Sequence, residues 1–123
     1  MLRSEERCVF DDATDTRLMA CSFPNGGLRV FDIRDPLHAR ELGYWKPGAV
    51  RTEVRPSSGS WAQGVDRTVD KIGGWARFVI TKKGNGKSAD LDAQLWTVSD
   101  GNGFQVLRFR QDFVAKNKDL FNR

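Results

Sequence analysis

Residues 26–45, GGLRVFDIRDPLHARELGYW, constrain the fold of this 123-residue chain more than any other stretch. The two glycines permit a tight turn, and residues 28–33 then alternate as a strand with apolar side chains on both faces. Asp35-Pro36 ends that strand, because proline lacks an N–H and restricts the residue before it. A second extended run follows at residues 40–45. Strand, Asp-Pro turn and strand predict half of a four-stranded antiparallel sheet.

The same criteria predict an all-β chain. Strands are expected near residues 8–11, 18–23, 27–33, 40–45, 76–81, 94–99 and 104–110. Clusters of Gly, Asn, Asp and Pro separate them and are typical of turns. Residues 82–91, KKGNGKSADL, are expected to form an exposed turn, and the tail QDFVAKNKDLFNR a short helix with a partial apolar side.

The chain is predicted to be one domain, residues 1–123, with 39% hydrophobic and 29% charged residues in a globular balance. Its predicted parts are a first sheet of four strands, a long loop, a second sheet of three strands and a tail, at residues 8–45, 46–74, 75–110 and 111–123. Two segments repeat. Residues 18–22, LMACS, align with 95–99, LWTVS, and LRV at 28–30 aligns with FQV at 104–106 after a one-residue gap.

The segments GLRVFDIRDP and ARELGYW together resemble the LVIVD repeat, a β-propeller repeat of bacterial and archaeal proteins that are often exported. The resemblance extends over residues 8–45 and returns over 95–109. It implies that the two predicted sheets are antiparallel β-meander blades of an incomplete β-propeller, the C-terminal, two-blade portion of a longer one. The resemblance also suggests an extracellular or periplasmic parent protein, and the internal repeat, the turn signals and the missing catalytic set favour a non-catalytic structural or protein-interaction module. The alternative is a fragment of a propeller enzyme whose active site missing blades complete.

Charge and hydropathy limit the partners. The net charge is +4 and the pI about 9.4, but acidic and basic residues are interspersed, which indicates a mixed solvated surface rather than a nucleic-acid interface. No run approaches the ~20 apolar residues of a membrane-spanning helix. The start MLRSEERCVF lacks a signal-peptide segment. A piece of an exported propeller and an ordinary cytosolic protein both fit, and the expected partners are missing blades or a second copy.

Cys8 and Cys21 are the two cysteines. If the DDATDTR connection is centred between Thr14 and Asp15, the two cysteines face each other across neighbouring strands. Directly opposed cross-strand cysteines can form a disulfide in an oxidising compartment, whereas the cytosol keeps them reduced as small buried hydrophobic residues. Both states stay open.

Three further groups favour structural roles. Asp11, Asp12 and Asp15 lack the spacing of a calcium loop and are typical of a turn that binds its own backbone. The segment DGNG at 100–103 joins two strands, so it predicts a hairpin rather than a phosphate-binding loop. His38 is the only histidine and lacks partners for a metal site or a triad. No catalytic residue, metal or cofactor is therefore predicted, and the chain is predicted not to be an enzyme.

One set of aromatic and basic residues could form a ligand or partner surface. Its members are Trp61, Trp75, Arg51, Arg55, Arg67 and Arg77. Arginine beside tryptophan can bind an anionic or carbohydrate group by charge and stacking. The other interpretation is that the tryptophans close the core between a sheet and the loop.

Overall fold

The computed structural model describes residues 7–23, 26–48, 72, 76–84, 90–99 and 102–122. The strands are β1 Arg7–Phe10, β2 Leu18–Phe23, β3 Gly27–Asp32, β4 Arg40–Trp45, β5 Arg77–Lys83, β6 Asp90–Ser99 and β7 Gly103–Arg108. A short 3₁₀ turn at Pro36–His38 links β3 to β4, and two helices follow, α1 Gln111–Lys116 and α2 Lys118–Phe121. The predicted all-β class is confirmed. The strands form two antiparallel meander sheets, β1-β2-β3-β4 and β5-β6-β7.

The predicted exposed turn at residues 82–91 is wrong at both ends. β5 continues to Lys83 and β6 begins at Asp90, with Lys82 opposite Leu91. The reason is burial: Leu91 is 6% exposed and Ala93 is fully buried, on the same face of β6 as Leu95. Their spacing of two residues is the alternation of a strand, so β6 begins four residues before the predicted start, in a stretch rich in lysine and glycine.

The two sheets share one hydrophobic core. Its members come from β2, β3, β6 and the tail, with two residues before β5: Leu18, Ala20, Leu28, Val30, Ile72, Ala76, Leu91, Ala93, Leu95, Val114, Leu120 and Phe121. Each sheet therefore has an inner face in this core and an outer face turned away from it. The tail is helical as predicted, and it closes the core with its buried apolar side chains.

A β-bulge in β4 shapes the edge of the first sheet. Val30 pairs with Gly43 but Phe31 pairs with Glu41, so Leu42 is the extra residue. Both Leu42 and Trp45 pack against the core as a result. Gly27 lies under the same strand with φ 79°, and a Cβ atom there would lie 2.3 Å from the carbonyl oxygen of Trp45. Only glycine fits this position without rearrangement.

The central hairpins β2–β3 and β6–β7 have the same register at a constant separation. Leu18 pairs with Asp32, and 76 residues further on Gln94 pairs with Arg108. The relation holds for every pair down to Phe23 with Gly27 and Ser99 with Gly103. The two hairpins are thus equivalent in register, but the equivalence matches residue 18 with 94, one residue away from the predicted alignment of residues 18–22 with 95–99. Residues 76 apart are the counterparts, and their alignment needs no gap. Because successive side chains of a strand point to opposite faces, an error of one residue assigns each side chain to the wrong face.

No helix in the described part of the chain is long and apolar enough to cross a membrane.

Candidate functional site

The outer face of the second sheet carries an apolar patch, made of Trp96, Val98, Phe104 and Val106. Val98 is 46%, Phe104 63% and Val106 50% exposed. They lie together because Trp96 pairs with Val106 and Val98 with Phe104 across β6 and β7. The rings of Trp96 and Phe104 meet edge to face, 5.8 Å between centroids. Contiguous exposed apolar groups on a sheet face are typical of an interaction surface.

A chain of polar contacts fixes this patch at one side. The Trp96 Nε1–H donates to Gln94 Oε1 at 2.9 Å, and Gln94 Nε2 donates to Asp92 Oδ2 at 2.9 Å. Arg108 Nε lies 2.9 Å from Asp92 Oδ1 as an ion pair. Since the Asp92 side chain is largely buried and the Arg108 side chain is exposed, the network presents a cation beside the apolar patch.

The outer face of the first sheet is also apolar. Phe10 is 56% exposed, and its cross-strand neighbour Met19 and the next one, Phe31, are half-buried without packing against the core. Beside them, Arg29 lies over the ring of Tyr44 at 5.5 Å and makes a 3.0 Å ion pair with Glu41. Within the described residues, the outer face of each sheet is thus an apolar face with polar side chains at its margins.

A cleft of about 630 Å³ opens between the two sheets. Its walls come from β3, β4, β6, β7 and α1, and they are mostly apolar, with Trp45, Phe109 and Phe113 among them. Arg110, Asp112 and Lys116 stand on the α1 side, where Arg110 and Asp112 are paired at 2.9 Å. The Arg110 hydrogen bonds lower the pKa of the Asp112 carboxyl. The cleft is a wide opening next to the core and has few converging polar groups.

Asp32 lies at the end of β3 and is 8% exposed. Its Oδ1 accepts from the Arg34 backbone N–H at 3.1 Å and from Arg34 Nε at 3.0 Å, and its Oδ2 accepts from Arg34 Nη2 at 2.8 Å. The Arg34 side-chain hydrogen bonds hold the pKa of the Asp32 carboxyl below its usual value and raise the pKa of Arg34. Backbone and arginine donors thus satisfy this strand-end carboxylate, which would be costly to bury as an unpaired charge.

The tail is attached to this cluster by arginines. Arg34 Nη1 also donates to a carboxylate oxygen of Asp119. Arg17 Nη1 donates to the carbonyl oxygens of Asp119 at 2.5 Å and Asn122 at 2.8 Å. These contacts join the first sheet to α2 at the rim of the core. The cluster therefore holds the tail against the first sheet.

Cys8 and Cys21 lie opposite each other, as the predicted register requires. The structure joins their Sγ atoms in a disulfide with a Cα–Cα distance of 4.0 Å. The bond lies on the outer face of the first sheet and connects the edge strand β1 to β2. The redox state in the protein's own compartment stays a prediction.

The acidic turn uses its carboxylates on its own backbone. Asp12 Oδ1 accepts from the N–H groups of Thr14 at 2.8 Å and Asp15 at 2.9 Å, which lowers the pKa of Asp12. Asp11 Oδ1 accepts from the N–H groups of Arg17 and Leu18, each at 3.0 Å. Among the described residues no group of three His, Cys, Asp or Glu side chains could hold a metal ion.

His38 and the DGNG segment lie in turns. His38 Nδ1 is 2.8 Å from Asp35 Oδ2, and both side chains are exposed. Residues 100–103 connect β6 to β7, so the predicted hairpin is confirmed, with Gly103 at φ 70°. Residues 100 and 101 lie outside the described part of the chain.

Of the predicted aromatic and basic surface, only Arg77 is described. Trp61, Trp75, Arg51, Arg55 and Arg67 lie outside the described residues. Arg77 is exposed and pairs with Trp96 across β5 and β6, so it flanks the apolar patch of the second sheet. Trp96, Gln94 and Asp92 were not among the predicted site residues. Their signal was present in the alternation that runs from Leu91 to Ser99.

Comparison of the chain with protein-family models, with curated proteins and with solved structures finds no match in any of the three.

Proposed function

We propose that this chain is a non-catalytic structural or protein-interaction module, of the kind that the LVIVD-like segments imply. The observation that carries the proposal is the exposed apolar patch on the outer face of the second sheet. Phe104 and Val106 are at least half exposed there. Burying such side chains against a partner is favourable by about 25 cal/mol per Å² of apolar surface.

The chemistry of the patch supports a protein partner. It is apolar at its centre and rimmed by Arg77 and Arg108, which matches an interface with an apolar core and a polar margin. Trp96 is aromatic and already oriented by its hydrogen bond to Gln94, so less side-chain entropy is lost on binding. The inter-sheet cleft, by contrast, is wide and offers few converging polar groups to orient a small ligand.

A photoreactive side chain tests the proposal. Benzoylphenylalanine replaces Val106 in the full chain, and the matched control carries it at Ala13, which is exposed in the turn between β1 and β2. Irradiation of source cells is expected to link position 106, and not position 13, to a protein identified by mass spectrometry. If position 106 forms no protein adduct, the interaction module is the wrong function.

A further inference from the structure

The two free apolar faces are of complementary kinds. This conclusion rests on the proposed interaction function and names the partner. We propose that the partner is a second copy of this chain, and that the outer face of the second sheet of one copy packs on the outer face of the first sheet of the next.

The first step is the equivalence of the two central hairpins. Their registers match at a separation of 76 residues, and so do their flanking hydrogen bonds. The Ile33 N–H donates to the Arg17 carbonyl at 2.9 Å, and the Phe109 N–H donates to the Ala93 carbonyl at 2.9 Å. Because hydrogen-bonded and non-bonded pairs alternate, an equal pattern places residues 76 apart on the same face of their hairpins.

The second step is that the core uses opposite faces of these equivalent hairpins. In the first sheet Leu28 and Val30 point into the core, whereas their counterparts Phe104 and Val106 point outward. In the second sheet Leu107 packs on the core, whereas its counterpart Phe31 lies on the outer face. The contact between the sheets is therefore head-to-tail, because the first sheet buries one face of its hairpin and the second sheet buries the opposite face of the equivalent hairpin.

The third step is that the outer face of the first sheet is apolar where the equivalent, buried face of the second sheet is apolar. The outer positions of the first sheet are matched by core-facing residues of the second: Met19 by Leu95, Phe31 by Leu107 and Ile33 by Phe109. The edge strands agree, since Phe10 pairs with Met19 and Phe78 with Leu95. Phe78 packs against the core, whereas Phe10 is 56% exposed.

The consequence is a repeatable contact. The exposed outer face of the second sheet is equivalent to the face that the first sheet buries in the core. The exposed outer face of the first sheet is equivalent to the face that the second sheet buries. A second copy can therefore repeat between molecules the contact already made within each molecule. Such a heterologous interface closes into a ring if the rotation permits and otherwise extends as a filament.

Matched phenylalanine substitutions test this arrangement in the full chain. Phe104→Glu blocks the face on the second sheet, and Phe10→Glu blocks the face on the first. Leu37→Glu makes the same charge change at a residue that is 87% exposed in the 3₁₀ turn, away from both faces. Sedimentation velocity at micromolar concentration measures association, and circular dichroism checks that each variant is folded.

The wild type and Leu37→Glu are expected to self-associate, whereas each phenylalanine variant alone associates at least tenfold more weakly. An equimolar mixture of Phe104→Glu and Phe10→Glu is expected to form a one-to-one dimer, because one intact face of each kind remains. A monomeric wild type, a monomeric mixture or undiminished association of either variant alone overturns the proposal. If glutamate prevents folding, Phe104→Ser and Phe10→Ser are used in the same mixing experiment.

The photoreactive Val106 variant separates this proposal from the interaction function. A cross-linked dimer of the purified chain supports the second copy. An adduct with a different protein, without a dimer, overturns the second copy and leaves the interaction module standing. The absence of any protein adduct overturns both.

Discussion

The Asp32 carboxylate links β3 to the tail through the single guanidinium of Arg34. Replacing it with asparagine removes a charged acceptor from a side chain that is only 10% exposed. Because hydrogen bonds to charged groups are stronger than neutral ones, we expect Asp32→Asn to lower the free energy of unfolding by about 1–2 kcal/mol at pH 7. Urea unfolding measures this. An unchanged melting temperature in Asp32→Ala would exclude the anchoring role.

The same carboxylate gives a pH dependence of known sign. Its pKa is lower in the folded chain than the unfolded value of about 3.9, because Arg34 donates to the ionised form. The stabilisation is therefore complete above about pH 4 and is lost as the pH falls through the folded pKa. The wild type is expected to lose its advantage over Asp32→Asn in that acid range. Unfolding series at pH 7, 4, 3 and 2 compare the two, and an advantage that does not decrease as the pH falls below 4 would contradict the assignment.

Gly27 and Gly103 form a matched pair for backbone strain. Both have positive φ, 79° and 70°, but only at Gly27 would a Cβ atom meet the chain, at 2.3 Å from the Trp45 carbonyl oxygen. Gly103→Ala is expected to cost about 1 kcal/mol from φ alone. Gly27→Ala should cost at least about 1 kcal/mol more, because β4 must also move. Equal losses in denaturant unfolding would mean that β4 adjusts freely.

The cysteine pair gives a chemical test. Protein from an oxidising compartment is expected to take up no alkylating label at Cys8 or Cys21 when denatured without reductant. Two labels per chain would refute the bridge. On the chain-entropy model a disulfide closing a loop of this size stabilises by about 2–3 kcal/mol, so reduction should lower the denaturant midpoint accordingly.

Residue roles were predictable from sequence where their partners are close along the chain. Asp32 ends a strand, and Arg34, which donates to it, is two residues away. The link from Arg34 to Asp119 spans 85 residues, so no local pattern could indicate it. The Trp96, Gln94 and Asp92 network is local, but it needs the correct start of β6 to place all three on one face.

At the scale of elements, the tail helices contribute buried side chains to the core, Phe121 above all. Phe121 is 1% exposed and meets the rings of Phe109 and Phe113 at 5.2 and 6.1 Å. Phe121→Ala is expected to cost about 3–5 kcal/mol, since it leaves a cavity. The matched control, Phe104→Ala on the outer face, should cost less than about 1 kcal/mol in the monomer. Comparable losses from both would mean that the tail is not part of the core.

Strand prediction was good where turn residues mark both ends. β2 and β4 begin and end at the predicted residues, because strong turn signals flank each of them. The start of β6 was missed, since lysine and glycine outweighed the alternation of Leu91 and Ala93. The repeat alignment slipped by one residue because similarity of letters favoured Leu18 with Leu95. The pairing register of the two hairpins, which the sequence does not show, makes Gln94 the counterpart of Leu18.

At the scale of the whole molecule, one core joins both sheets and the tail. The chain is therefore expected to unfold in a single cooperative transition. Tryptophan fluorescence, which reports on Trp45 and Trp96 among others, should give the same urea midpoint as far-UV circular dichroism. A far-UV spectrum dominated by helix would contradict the fold, and two separate transitions would divide the chain into two domains.

The sequence indicated apolar residues on both faces of the strands, but it did not say which faces would meet. That choice depends on how the sheets and the tail share the core, which is a property of distant contacts. The free faces therefore became identifiable only with the three-dimensional arrangement.

The position of the disulfide has a mechanical consequence. Tension applied through the N-terminus would ordinarily peel β1 from β2 one pair at a time, as a zipper opens. With Cys8 and Cys21 joined, Val9, Phe10 and the acidic turn are shielded from the load, which passes through the disulfide into β2. Reduction would release the 13 residues of that sequence separation, adding roughly 45 Å of extensible chain. Redox chemistry at one edge thereby sets how far this end of the molecule can be stretched before its core is disturbed.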